Sequence, residues 1–272
     1  MRRRDLARLL PAVVVLAFVA FLPLGRVAWT SVHRSTVTGS EFNGADNYVN
    51  LFTNSTWWLA VATTLVIVTF VVLIQMILGT VIGAALHRVT VLWPVTRVLV
   101  LAPLTLLSAV SVVTWRDAVD GGYLAEWFDL GEAGSVTRLV AVTVSETWRG
   151  TGLVAAVVAV ALFAVPRSLS SATIADGATV LQRWRRVVLP AIAPAMAGVA
   201  MFRVLDTFRV VDGPLLAGDV DSELTTAPLL TWTTQFTAFE WGLGAAMSII
   251  VLVVAAVLAV IIGPLFRVRR LL

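Results

Sequence analysis

The sequence contains no cysteine and only two histidines, and its twenty basic residues are all arginine, without one lysine. The absence of cysteine excludes disulfides, thiolate metal sites and cysteine nucleophiles, and two histidines leave little from which to build a zinc site. The absence of lysine excludes the phosphate-binding loop G-x-x-x-x-G-K-[ST], which needs that residue. We therefore expect this chain to bind no metal or cofactor. If an ATPase with this phosphate-binding loop drives the protein, the ATPase must be another chain.

Charge is also scarce, because charged residues make up 13% of the chain and hydrophobic residues 59%. Soluble domains average about 25% charged residues, and a soluble protein of this size could not bury so much apolar surface. The net charge of only +4 provides no dense basic surface for nucleic acid. The composition predicts a polytopic membrane protein.

Six apolar stretches approach the length of about 20 residues that crosses a bilayer as a helix. We predict an all-α fold of one transmembrane domain, residues 1–272, with spans at 9–25, 57–86, 98–115, 139–165, 187–209 and 241–266. Arginine sets the orientation, since it accumulates on cytoplasmic flanks. With the N-terminus inside, the inner segments hold thirteen arginines and two acids, against seven arginines and fourteen acids outside. Both termini are therefore predicted to be cytoplasmic.

The predicted cytoplasmic loop between the fourth and fifth spans, residues 166–186, has the pattern of a helical hairpin. Gly177 interrupts the first short helix, and glycine there permits a turn with positive φ or the close approach of another chain. Thr179 can cap the second helix, whose outer face carries three arginines. Taken alone, the pattern fits two interpretations equally well: a functional hairpin, or a basic hairpin that only anchors the protein at the membrane surface.

The order of residues in this hairpin resembles the cytoplasmic motif of permease subunits of ATP-binding-cassette (ABC) importers, E-A-A-x-x-x-D-G-A, a spacer, then L-P-x-x-x-P. The matching residues are Asp176-Gly177-Ala178, Leu189-Pro190 and Pro194. In that family the loop forms a coupling helix that docks on the ATPase subunit. The family's glutamate is replaced here by Ser171, so its charge-assisted bond is absent. The resemblance assigns ATPase coupling to Ser171, Ala172, Thr173, Asp176, Gly177 and Ala178.

The resemblance extends over most of the chain. Similarity to carbohydrate-uptake permeases is found at Pro23-Leu24, Asn47-Tyr48, Trp57-Trp58 and Glu146-x-Trp148-Arg149, and residues 202–212 are most similar to the trehalose/maltose type. This implies a sugar importer of the bacterial inner membrane, with a disaccharide such as trehalose as its substrate. It also implies a second permease subunit, an ATPase dimer that binds ATP and Mg²⁺, and an external solute-binding protein.

Charged residues inside the spans are candidate functional residues, because ions near the middle of a bilayer are costly and normally face protein or water. Four residues, Arg203, Asp206, Arg209 and Asp212, recur every three positions with alternating sign, so each neighbouring pair can neutralise itself. Two interpretations stand. The stripe lines a wet cavity and binds sugar hydroxyls, or it holds the end of a helix that emerges into water.

A second candidate group, Glu146, Trp148 and Arg149, lies in the predicted fourth span. Trp148 suits the apolar face of a sugar ring, with Glu146 or Arg149 on the ring's hydroxyls. An outer interfacial turn with a membrane-belt tryptophan fits equally well. Gln75, a lone polar residue in the second span, favours an interhelical hydrogen bond over a ligand contact.

Two other functions stay open at this point. An ion-driven secondary carrier predicts titrating intramembrane carboxylates and an internal repeat, but Glu146 is the one clear intramembrane acid in the sequence and no repeat is evident. A membrane enzyme acting on lipid-linked sugar would use the external acids between residues 117 and 132, whose spacing is not that of metal ligands. We expect a transport subunit without an active site of its own.

Overall fold

A computed structural model describes residues 3–88, 93–119, 122–128, 134–166, 168, 173, 175–210 and 225–265. These residues are helical apart from one two-stranded hairpin and the connecting turns. The chain divides into two compact units, one formed by residues 1–59 with 230–253 and the other by residues 60–229 with 254–272. All the candidate site residues belong to the second unit.

The first unit contains a long helix, a β-hairpin and a short helix. Its elements are α1 (Arg3–Ser31), β1 (His33–Thr36), the antiparallel β2 (Gly39–Phe42) and α2 (Asp46–Thr53). Asn47 is buried, and its side-chain amide donates to the carbonyls of Ser31 at 2.8 Å and His33 at 3.0 Å. One amide group therefore joins α2 to the start of the hairpin.

The remaining helices follow in chain order. They are α3 (Ser55–Arg88), α4 (Trp93–Thr105), α5 (Ser108–Val119), α6 (Tyr123–Phe128), α7 (Ser135–Phe163), α8 (Val180–Arg183), α9 (Leu189–Phe208), α10 (Ala227–Phe236) and α11 (Trp241–Leu265). A π-helical turn, Trp184–Val188, joins α8 and α9 into one continuous helix from 180 to 208. In the described part of the chain, α3, α7, α8–α9 and α11 are long and apolar enough to cross a membrane.

Two of the predicted spans differ from long straight helices. The stretch at 98–115 consists of α4 and α5, which meet at 97° across a short break and make either a fifth, broken span or a re-entrant loop. Pro103 lies inside α4, and proline weakens a helix because it lacks an N–H and clashes with the preceding turn. The stretch at 9–25 lies within α1, whose apolar portion among the described side chains is the shorter Ala17–Ser31.

The core of the second unit forms where α7 packs against α4, α5 and α9. Val158 of α7 and Ile192 of α9 are almost fully buried in one apolar cluster. On α3, the sequence Gly79-x-x-x-Gly83 faces α7, because a Cβ at Gly83 would lie 2.6 Å from the carbonyl oxygen of Ala155. Small residues four apart let helix backbones approach closely in membranes, so α3 lies directly against α7.

Candidate functional site

Three helices of the second unit bring polar side chains into a buried network. Gln75 of α3, Glu146 of α7 and Arg203 of α9 are each at most 1% exposed. Together with Arg149 and Asp206 they form what we call the charge network. Its two acids and two arginines give a formal charge of zero. Buried ions persist only when they are paired and hydrogen-bonded in this way.

Gln75 ties α3 to both other helices. Its Nε2 donates to the backbone carbonyl of Glu146 at 2.7 Å, and its Oε1 accepts from Nε of Arg203 at 2.9 Å. Both ends of the amide are thus satisfied in the interior, where an unpaired polar group costs about 1–3 kcal/mol. The predicted interhelical hydrogen bond of Gln75 is confirmed.

The Glu146 carboxylate is held from two sides. Ser108, at the start of α5, donates to Oε1 at 3.0 Å, and Arg149, in the next turn of α7, donates to Oε2 at 2.8 Å. Nη2 of Arg203 lies farther away, 3.8 Å from Oε2. The carboxylate thus joins α7 to α5 through Ser108 and to α9 through Arg203.

Arg203, Asp206 and Arg209 step from the interior to the surface at the end of α9. Their side chains are 0%, 15% and 79% exposed. Arg203 donates to Oδ2 of Asp206, and Arg209 donates to Oδ1 at 3.0 Å. The ion pairs predicted among these three residues are therefore present and join a buried arginine to an exposed one. Asp212, the fourth residue of the predicted stripe, lies outside the described residues.

A glycine in α7 makes room for the charge network. A Cβ at Gly150 would overlap the guanidinium of Arg203 and the side-chain amide of Gln75. Because glycine has no Cβ, both groups can lie against the backbone of α7. A lone glycine beside Arg149 carries no signal in the sequence until the partner helices are known, so sequence reasoning missed it.

Trp148 leaves α7 in nearly the opposite direction from Glu146, because two residues along a helix correspond to about 200°. Its side chain is 39% exposed and meets Trp115 of α5 edge-on, with ring centroids 6.1 Å apart. Both rings line a pocket of about 460 Å³ whose other lining residues are aliphatic apart from Gly152 and three threonines of α7. The structure brings Glu146, Arg149 and Arg203 together but leaves Trp148 apart from them.

The D-G-A sequence forms a tight turn before α8. Gly177 has a φ of +73°, a left-handed conformation that other residues rarely adopt. This is one of the two roles that the sequence allowed for this glycine. The Ala178 N–H donates to the Thr173 carbonyl at 3.0 Å and closes the turn. Asp176 and Gly177 are both exposed. The tip of the turn is therefore exposed.

Thr179 begins the helix that follows this turn. Its Oγ1 accepts from the backbone N–H of Gln182 at 3.3 Å, and Oε1 of Gln182 accepts from the backbone N–H of Thr179 at 2.9 Å. This reciprocal pair is a capping box, so the predicted cap is confirmed. Ser171 and Ala172, which the resemblance also assigns to ATPase coupling, lie outside the described residues.

Known proteins match this chain along nearly its whole length, although no family model matches it. The trehalose transport system permease protein SugA of Mycobacterium tuberculosis is 30% identical over 276 residues, which cover 98% of this chain and 90% of that protein. The chain belongs to the permease subunits of ABC-type carbohydrate importers. This ABC permease is a protein of the inner membrane, and subunits of its kind are not themselves enzymes.

Other relatives of the ABC permease agree with this assignment. The trehalose/maltose transport system permease protein MalF of Thermococcus litoralis is 24% identical over 182 residues, 63% of this chain and 62% of that protein. A bacterial ABC transporter that imports the acidic polysaccharide alginate has a chain with a TM-score of 0.76 and 16% identity, covering 96% of the permease and 94% of that chain. At this identity the structural likeness establishes the fold alone, which is all-α.

Proposed function

We propose that this permease subunit forms half of the translocation path for a disaccharide such as trehalose. The observation that carries the proposal is 30% identity along 98% of the chain to a trehalose permease. Maltose is the second candidate, because a 24% identical relative is named for both sugars. An oligosaccharide of alginate is the third, because the structural neighbour imports that polysaccharide.

The proposed importer combines this chain with several partners. A second permease completes the path, an ATPase dimer binds ATP and Mg²⁺, and an external solute-binding protein delivers the sugar. The absence of lysine supports an ATPase site on another chain. An alginate transporter in complex with a periplasmic protein bound to alginate pentasaccharide supports delivery by a binding protein. Arginine distribution supports six crossings of the lipid bilayer with both termini cytoplasmic.

The proposed sugar contacts are two residues of the charge network, Arg149 and Asp206, and the neighbouring Arg209. Arg209 is exposed, Asp206 and Arg149 are partly exposed, and their donors and acceptors suit sugar hydroxyls, which do both. Glu146 and Arg203 are buried and paired, so they hold these side chains in position. The predicted stacking of Trp148 on a sugar ring is a separate proposal, located at the apolar pocket. Replacing Trp148 with alanine tests it, and the measured quantity is the sugar concentration that gives half-maximal uptake.

We propose that the turn at 173–178, within the 166–186 hairpin, docks on the ATPase. Ser171 and Ala172 complete the docking segment by the family resemblance. The continuous helix from 180 to 208 supports this role, because it begins directly after the capped turn and carries Arg203 near its other end. A movement of the turn would then reach the charge network through one helix, and this connection would couple ATP hydrolysis to the sugar path.

Reconstitution of the importer tests the proposal. The permease is co-purified with its second permease, ATPase and binding protein, and uptake of radiolabelled trehalose into proteoliposomes is measured with and without ATP. We expect uptake to require ATP and to persist when proton and sodium gradients are collapsed. Uptake that does not require ATP and is lost when the ion gradients are collapsed would contradict the proposal and favour the ion-driven carrier. Competition by unlabelled maltose and alginate oligosaccharides identifies the preferred sugar.

A further inference from the structure

A separate polar pocket lies at the end of the second unit that carries the coupling turn. It has a volume of about 310 Å³ and is lined by the C-terminal ends of α3 and α7, by α8 and by the π-helical turn. Ligand sites typically measure about 300–1,000 Å³, so this pocket can hold a group the size of a lipid headgroup. Its basic lining residues are His87, Arg88 and Arg183.

In the part of the chain that the structure describes, the two arginines of this pocket have no acidic partner. Within the described ranges, neither the Arg88 nor the Arg183 guanidinium takes part in an ion pair or a side-chain hydrogen bond. The sequence has no acid between residues 47 and 116, and its only acid between residues 147 and 205 is Asp176, which does not line the pocket. Among the described residues, the pocket therefore carries positive side-chain charge that no acid compensates.

The helix ends reduce this charge without cancelling it. Both α3 and α7 end at the pocket, at Arg88 and Phe163, and a helix C-terminus carries about half a negative charge. Two guanidinium groups against about one negative charge leave a net charge of about +1. An anion is the ligand that this balance favours.

The rest of the lining suits the edge of a bilayer. Trp184 lines the pocket beside Arg183, and tryptophan is enriched where membrane meets water. Aliphatic side chains of α7 and the π-helical turn supply an apolar wall. His87 stacks edge-on against Phe163, and its Nδ1 is buried without a hydrogen-bond partner among the side chains that the structure describes. Basic pockets of this kind between membrane helices bind anionic headgroups.

We propose that this pocket binds a phosphate group, carried by an anionic lipid headgroup or free in the cytoplasm. The bound group would contact Arg183 in the helix that follows the coupling turn, beside a π-helical turn, a feature often found at functional sites. Phosphate binding would thus bear directly on the segment proposed to dock on the ATPase. The cytoplasmic location of the pocket rests on the proposed function, whereas phosphate binding itself is a property of this chain.

Retention of phosphatidylglycerol tests the proposal. The importer complex is placed in phosphatidylcholine nanodiscs containing phosphatidylglycerol as the minor lipid, and retained lipid is counted by native mass spectrometry. The test variant is Arg88→Gln with Arg183→Gln. The matched control is Arg185→Gln with Arg186→Gln, because those arginines are exposed and do not line the pocket. At about fivefold per arginine, we expect retention about 25-fold weaker in the test variant and closer to wild type in the control.

A second arm separates the two sources of phosphate. Inorganic phosphate is added to complexes in pure phosphatidylcholine nanodiscs, and the thermal stability of the complex is measured. Stabilisation that the test variant loses assigns the pocket to free phosphate, and retention of phosphatidylglycerol alone assigns it to lipid. Absence of binding in both arms, or equal loss in test and control variants, overturns the proposal. A complex that binds phosphatidylglycerol but imports no sugar contradicts the proposed function and leaves the pocket standing.

Discussion

Replacing Arg203 with methionine removes a charge from the interior of the charge network while keeping a side chain of similar length. The Arg203 side chain is 0% exposed, and its guanidinium donates to Asp206 and Gln75. Removing one partner of a buried ion pair costs about 3–5 kcal/mol, because the other charge loses its partner in a medium of low polarity. Asp206 keeps Arg209, so we expect a loss near the lower end, about 3 kcal/mol of unfolding free energy.

Arg209→Met is the matched control for this variant. It removes the same group from the same carboxylate, again at a separation of three residues, but Arg209 is 79% exposed. Exposed ion pairs contribute about 0–1 kcal/mol, so the loss should not exceed that amount. The two variants therefore differ mainly in the burial of the arginine.

Unfolding of the purified complex in mixed micelles, followed by tryptophan fluorescence, measures both free energies. If Arg203→Met and Arg209→Met lower the free energy of unfolding by similar amounts, burial of the arginine does not determine the loss, and the prediction is wrong. A double variant, Arg203→Met with Gln75→Leu, adds an internal check. Removing both partners of a buried hydrogen bond costs less than the sum of the two single losses, because neither atom of that bond is left unpaired.

Three further predictions follow from close contacts and turn geometry. Gly150→Ala should lower the melting temperature because its Cβ would overlap the charge network, whereas Gly198→Ala, whose Cβ meets nothing within 4 Å, should not; equal shifts would contradict this account. Thr179→Ala should remove about 1 kcal/mol of local stability through loss of its cap, seen as faster hydrogen exchange at 180–183 and refuted by unchanged exchange. Gly177→Arg should abolish ATP-driven uptake with normal membrane insertion, because arginine is strained at this φ and projects from the exposed turn. Gly177→Asn should retain more uptake because asparagine tolerates positive φ, and normal uptake by the arginine variant would disprove the role of the turn.

Local features of this permease could be predicted from its sequence, because neighbouring residues determine them. The apolar runs predicted a helical membrane protein, Gly177 predicted a turn with positive φ, and Thr179 predicted a helix cap. The alternating charges at 203, 206 and 209 predicted ion pairs, and these are present. The residues that form the turn, the cap and the ion pairs lie within about one helical turn of one another, so their spacing in the sequence was sufficient to predict these features.

Long-range features could not be predicted in the same way. Arg203 bonds to Gln75, which lies 128 residues away in the sequence, and this contact depends on how α3, α7 and α9 pack. The lone polar residue Gln75 predicted an interhelical hydrogen bond but not its partners. The role of the small residues Gly79-x-x-x-Gly83 and Gly150 becomes evident only once the facing helix is known. The bend between α4 and α5 was not predicted either, because the uncharged stretch 98–115 continues across the break and only Pro103 indicated an interruption.

ATP hydrolysis by the reconstituted importer, measured with and without binding protein loaded with trehalose, tests whether this chain couples sugar transport to a partner ATPase through the turn at Gly177. The account predicts that loaded binding protein stimulates hydrolysis by the wild-type complex and does not stimulate a complex that contains the Gly177→Arg permease. Equal stimulation of both complexes would contradict coupling through this turn. A wild-type complex that imports trehalose without hydrolysing ATP would contradict the account as a whole.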